Sequence, residues 1–122
     1  MKTILIVDDN PAIRRILRAL VERRSDWSVC GEAANGQEGV DQALRFTPDL
    51  IVLDLSMPVM NGFQAARQLR RLLPRVPILM FTTFGNAYVE KEAFAAGVTA
   101  VHSKSLGIDT LFKAVQNLLQ AA

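Results

Sequence analysis

Two adjacent acids, Asp8 and Asp9, follow the apolar, β-branched run Thr3 to Val7, and a third, Asp54, ends the run Leu50 to Leu53. A hydroxyl, Thr82, closes the run that begins at Ile78, and Ser103-Lys104 closes another that begins at Thr99. Acids at the ends of buried strands ask for a cation. Two carboxylates about 4 Å apart repel by roughly 4 kcal/mol at an effective dielectric near 20. Three together are tolerable only beside a metal, beside a lysine, or with raised pKa values. Oxygen-only ligands favour a hard ion, and Mg²⁺ keeps several waters where one or two carboxylates hold it. Taken singly, Asp8 reads as an acid at a helix N-terminus, Thr82 as a strand former and Lys104 as a surface residue. Register joins them: each stands where a strand would leave a parallel sheet, the edge at which α/β folds hold ligands.

The intervening segments supply that sheet. Asn10-Pro11 offers an N-cap and a proline at the first helical position. Ile13, Ile16, Leu17, Leu20 and Val21 then recur at helical spacing. Trp27 to Glu32 reads as a second strand, and Asn35-Gly36 turns into a helix whose apolar residues are Val40, Ala43, Leu44 and Phe46. After the strand 50–54, Pro58 and Gly62 break the chain into a loop before a third helix, about 63–73. The fourth strand runs from Ile78 to Thr82, and a helix of about 86–96 stops at Gly97, a glycine C-cap signal. The fifth strand is Thr99 to Ser103, and the last helix buries Ile108, Leu111, Phe112, Val115, Leu118 and Leu119. Strands alternating with helices require crossover connections, hence a parallel sheet with helices on both faces. If the strand order reverses beside the first strand, Asp54 lies next to Asp8 and Asp9.

Composition bounds the function. The 122 residues fit one domain, 50% hydrophobic and 21% charged, with a formal charge of +2. That charge is too small to imply nucleic acid. Arg14, Arg15, Arg18, Arg23 and Arg24 cluster in the first helix and Arg67, Arg70, Arg71 and Arg75 in the third. They read as solvated helix faces, with a docking face for an acidic partner as the sharper reading. No apolar run reaches membrane-span length and no signal h-region follows Met1, so a soluble, cytoplasmic protein is expected. Cys30 alone can form no internal disulfide, and it reads as a small buried strand residue. The first strand–helix loop, Asp8-Asp9-Asn10-Pro11, lacks the glycines of a dinucleotide site, and its charge would repel a flavin phosphate. There is no P-loop segment either.

The set Asp8-Asp9, Asp54-x-x-Met57-Pro58-x-x-x-Gly62, Thr82 and Lys104 resembles the receiver domain of bacterial two-component response regulators, and the likeness runs through the whole chain. The resemblance implies a flavodoxin-like, doubly wound α/β fold with five parallel strands in the order 2-1-3-4-5 and five helices, residues 1–122 forming one domain. It implies that Asp54 is the phosphoacceptor, taking a phosphoryl group from a sensor histidine kinase or a histidine phosphotransfer protein. Asp8, Asp9, Asp54 and the Ser56 carbonyl would hold Mg²⁺ (or Mn²⁺), and Lys104 would offset charge on the transferring oxygens. Thr82 would turn its hydroxyl toward the phosphate, in preference to Thr83, and switch the face formed by the fourth helix, fifth strand and last helix. That face would meet a downstream protein or an output domain, with the chain a monomer or a phosphorylation-dependent dimer that touches no nucleic acid or membrane itself.

The chain departs from the family pattern in two places. Receivers often carry an aromatic residue three positions before the lysine, where this chain has Val101, and a proline after it, where this chain has Ser105. The usual proline follows a cis peptide bond, which costs roughly 3 kcal/mol without proline, so a different lysine loop is expected. His102 reads as an ordinary strand residue. Phe84, two residues beyond Thr82, is placed to shield the phosphate from water. The Lys104-Ser105 ending resembles receivers of LuxR-type regulators, so the chain is either a stand-alone receiver or the receiver piece of a longer regulator. The alternative class is a pseudo-receiver, a binding module that is never phosphorylated; intact Asp54 and Lys104 argue against it. An aspartate-nucleophile phosphatase ranks third, because Ser56 stands where its second acid belongs.

Overall fold

The computed structural model describes residues 1–120; Ala121 and Ala122, the end of the expected 1–122 domain, lie outside the described residues. In chain order the elements are β1 (Lys2–Val7), α1 (Pro11–Val21), β2 (Trp27–Ala33), α2 (Gly36–Phe46), β3 (Leu50–Leu53) and α3 (Gly62–Leu72). They continue with β4 (Ile78–Thr82), α4 (Ala87–Ala95), β5 (Ala100–Ser103), a 3₁₀ turn (Lys104–Leu106) and α5 (Ile108–Gln120). All strand pairs are parallel, in the order β2-β1-β3-β4-β5.

Side-chain alternation along each strand splits the core in two. Leu5, Val7, Ile51, Leu53, Ile78 and Met80 face α2, α3 and α4. Ile4, Ile6, Leu50, Val52, Leu79 and Phe81 face α1 and α5. Both faces of the sheet are covered, so the central strands can be apolar at every position. Asparagines start four helices: the side chains of Asn10, Asn35, Asn61 and Asn86 each accept a backbone N–H of the first turn. Such a cap is worth about 1 kcal/mol over alanine. At the other end of α4, Gly97 takes the expected left-handed conformation at φ 97°.

Three expected core residues lie outside it. Ile16, Leu44 and Phe46 are 47%, 47% and 39% exposed. In α2 the buried residues are Gly36, Gly39, Val40 and Ala43. A Cβ on Gly39 would lie 2.9 Å from Val7 Cγ1, so the helix sits too close to β1 for larger residues and rotates Leu44 and Phe46 outward. Cys30 is half-buried where the β1–β2 register shifts between Ile4 and Leu5. Burial pushes its thiol pKa up.

Candidate functional site

The register of β1 brings the acids together. Val7 pairs with Ala33 on one side and Leu53 on the other. The ladders run one residue further, through Asp8 N–H to the Ala33 carbonyl (3.0 Å) and Asp54 N–H to the Val7 carbonyl (2.9 Å). Asp8 and Asp54 therefore leave neighbouring strands at the same level. Asp9 follows on the exposed loop, and carboxylate oxygens of Asp8, Asp9 and Asp54 lie within 4.8 Å of one another. Asp8 and Asp54 are buried, at 1% and 6% exposure.

Lys104 reaches these acids from the end of β5, two strands from Asp54 and three from Asp8. Its Nζ lies 3.0 Å from Asp8 Oδ2 and 3.3 Å from Asp54 Oδ1, passing 5.7 Å from the centre of the Phe81 ring. The remaining Asp8 oxygen accepts the Asn10 N–H at 2.9 Å, and Asp54 Oδ1 also accepts the Leu55 N–H at 2.9 Å. Burial, and then the charge of Asp8, push the Asp54 pKa up to about 6 against the opposing pull of Lys104 and the Leu55 amide. One ammonium serves an acidic trio, so the trio still carries excess negative charge. An all-oxygen donor set of this kind fits a hard divalent cation.

The lysine turn confirms the expected departure. No peptide bond among the described residues is cis. In its place Lys104 opens a 3₁₀ turn whose cap is Ser103: the Ser103 side chain accepts the Ser105 N–H at 3.2 Å. Thr82 is fully buried and Thr83 exposed, which separates the two hydroxyls as alternation predicts. The Thr82 hydroxyl accepts the Phe84 N–H at 3.1 Å and bonds to none of the three acids. Ser56 and Phe84 are exposed on the loops that flank Asp54 and Thr82. Val101 packs on the core between β5 and the helices. His102 is half-buried and pairs in register with Phe81, and burial lowers its pKa.

The arginine clusters resolve into partners the sequence did not reveal. Arg14 and Arg18 both meet Glu32, Arg23 meets Asp109 and Arg24 meets Asp26. Arg70 donates to the Gly97 and Pro74 carbonyls and so staples α3 to the α4–β5 turn. The first cluster is therefore mostly neutralised rather than offered to an acidic partner. Gly62 was legible as a loop breaker and as a member of the motif, but not as a close contact: a Cβ there would lie 2.3 Å from the Asp54 carbonyl oxygen. The chain after the site returns to pack on Asp54 itself.

Known proteins resemble this chain over most of its length. A two-component response regulator of the LuxR family from Aurantimonas sp. SI85-9A1 superposes with a TM-score of 0.92 at 34% identity, over 98% of this chain and 85% of that one. The transcriptional regulatory protein LnrK of Bacillus subtilis (strain 168) is 35% identical over 118 residues, 97% of this chain and 54% of that protein. A protein-glutamate methylesterase/protein-glutamine glutaminase of Hahella chejuensis (strain KCTC 2396) is 41% identical over 104 residues, 84% of this chain but 26% of that protein. The chain thus spans about half the length of its transcriptional relative and a quarter of the methylesterase. What it shares with proteins of such different names is therefore one part of each of them. The family model for the response regulator receiver domain matches residues 4–116, and the chain belongs to that family.

Proposed function

We propose that Asp54 accepts a phosphoryl group from a phosphohistidine of a sensor histidine kinase or a histidine phosphotransfer protein. The observation that carries this reading is the Lys104 ammonium held between Asp8 and Asp54, beside a third carboxylate that completes an oxygen-only site. In the transfer an Asp54 oxygen forms a bond to phosphorus. The phosphorus–nitrogen bond to the donor imidazole breaks, and the nitrogen leaves with the electron pair. Asp54 is mostly ionised at neutral pH, with its pKa near 6, so its lone pair is available. Asp8, Asp9, Asp54 and the Ser56 carbonyl are the groups that would hold Mg²⁺ or Mn²⁺, which supplies positive charge against the phosphoryl oxygens. Lys104, already within 3.3 Å of Asp54 Oδ1, supplies the same kind of charge from the protein. Replacement of the Asp54 carboxylate by a bulkier aspartyl phosphate of greater negative charge biases Thr82 and the face of α4, β5 and α5 toward a partner or an output domain.

The same reading takes residues 1–122 as one cytoplasmic receiver domain that itself contacts neither nucleic acid nor membrane, as a monomer or a phosphorylation-dependent dimer. Among the described residues no helix is long and apolar enough to cross a membrane. The test is incubation with acetyl phosphate or a beryllofluoride mimic, with and without Mg²⁺, read by intact mass for the covalent product and by calorimetry for the mimic. Trp27 is no reporter, because it begins β2 and lies roughly 20 Å from the site at about 3.3 Å per residue. Mg²⁺-dependent addition of one phosphoryl group, absent in Asp54→Asn, is the expected result. No addition to folded protein would refute it and leave a phosphorylation-independent binding module.

A further inference from the structure

Arg14 lies on α1 one turn beyond the acidic loop, and its side chain reaches back over that loop. Its Nη1 donates to the Asp8 carbonyl at 2.8 Å, and its Nε lies 3.2 Å from Glu32 Oε1. Glu32 stands on β2 beside Ile6. Its second oxygen accepts from Arg18 Nε and Nη2 at 2.8 and 2.6 Å. Two arginines and one glutamate therefore tie α1 to β2 across the end of β1, with only 21% of the Arg14 side chain and 30% of Glu32 exposed.

The consequence falls on Asp9. The carbonyl of Asp8 and the N–H of Asp9 belong to one planar peptide group. Holding that carbonyl fixes the direction in which the chain enters Asp9. Asp8 has anchors of its own, from Asn10 N–H and Lys104 Nζ. Asp9 is exposed, and its side chain has no hydrogen bond or ion pair among the described residues. Its aim toward the other two acids rests on the backbone that Arg14 holds. We propose that Arg14, oriented and neutralised by Glu32, is a positioning residue for the divalent-cation site, acting through the Asp8–Asp9 peptide group. The inference rests on the Mg²⁺-dependent reading above.

Two effects of removing Arg14 have opposite signs. Charge alone predicts that Arg14→Ala tightens cation binding, because a positive group near the site is lost. Loss of positioning predicts that binding weakens. Lysine can meet the carbonyl or Glu32 but cannot span both as the guanidinium fork does. Arg15, exposed and unpaired among the described residues, is the control for charge.

The experiment titrates Mg²⁺ by calorimetry into wild type, Arg14→Ala, Arg14→Lys, Glu32→Gln and Arg15→Ala, each with a melting curve in EDTA. Loss of a residue that orients a ligand typically costs about 10–100-fold in metal affinity, and that weakening is expected for Arg14→Ala. Arg14→Lys and Glu32→Gln fall between it and wild type, and Arg15→Ala binds at least as tightly as wild type. At saturating Mg²⁺ the rate of phosphorylation of Arg14→Ala by acetyl phosphate returns to the wild-type rate, which damage to the fold would not allow. If Arg14→Ala is too unstable to titrate, Arg14→Lys and Glu32→Gln carry the same test. Wild-type Mg²⁺ affinity in these variants overturns the positioning role alone. Failure of the wild type to bind Mg²⁺ overturns the phosphoacceptor reading and this inference with it.

Discussion

Asp54→Asn is expected to make the metal-free protein more stable, although it removes an ion pair. Burial and the charge of Asp8 raise the Asp54 pKa to about 6 from an ordinary 3.8, so ionisation of this side chain opposes folding. A shift of a little over two units corresponds to about 3 kcal/mol, and discounting for solvent at the open end of the site leaves ~2 kcal/mol. The native state binds the Asp54 proton more tightly than the unfolded chain does. Wild-type stability is therefore highest below the unfolded pKa, falls as pH rises from about 4 through about 6, and is level above that. Asparagine has no proton to lose, so the advantage of the variant grows across the same window. In EDTA it should be small at pH 4 and ~2 kcal/mol at pH 7.5, or roughly 6–10 °C in Tm for a domain of this size. Mg²⁺ should narrow the gap, because it stabilises by mass action only the protein that binds it well. Urea and thermal unfolding of both proteins at four or five pH values measure this directly. A variant less stable than wild type at pH 7.5, or a gap constant from pH 4 to pH 7.5, would show that Lys104 already offsets the burial and repulsion in full.

Gly62→Ala should destabilise by about 2–4 kcal/mol, because its Cβ meets backbone atoms that cannot turn aside, the Asp54 carbonyl oxygen at 2.3 Å and Leu55 Cα at 2.8 Å. A denaturant midpoint within error of wild type would mean that the loop after Asp54 shifts freely. Phe84→Ala should speed loss of phosphate from Asp54 several-fold: Phe84 is exposed on the loop next to Thr82, where a bulky ring is expected to screen the phosphate from water. An unchanged rate of autodephosphorylation, followed by intact mass, would remove that role.

The topology was legible because it depends on features that a single chain repeats. Apolar runs bounded by turns fix the strands, and helical patterns between them force parallel crossovers. Asp8, Asp54, Thr82 and Lys104 could then be placed on one edge by their position after each run, before any contact was known. What escaped the reading depends on how closely elements approach. Leu44 and Phe46 fit a helical stripe, but Gly39 lets α2 settle against β1, Gly36 lets its first turn close on Met60, and the buried stripe moves toward the helix start. Glu32 gave no sign of its role, since its partners Arg14 and Arg18 lie 18 and 14 residues away and charged pairs carry no period. The lysine turn sits between these cases. The sequence said that the usual proline was missing, but not what replaced it. The replacement is local and polar: Ser103 caps a trans 3₁₀ turn, and a Cβ on Gly85 would lie 3.2 Å from Ser103 Cβ, so the loop after Thr82 packs directly against that turn. Lys104 reaches Asp8 and Asp54 all the same. The chemistry therefore constrains where the ammonium arrives and leaves open the backbone route that delivers it. That is why motif spacing located the acidic site and its lysine, while the residues that brace them had to be found in three dimensions.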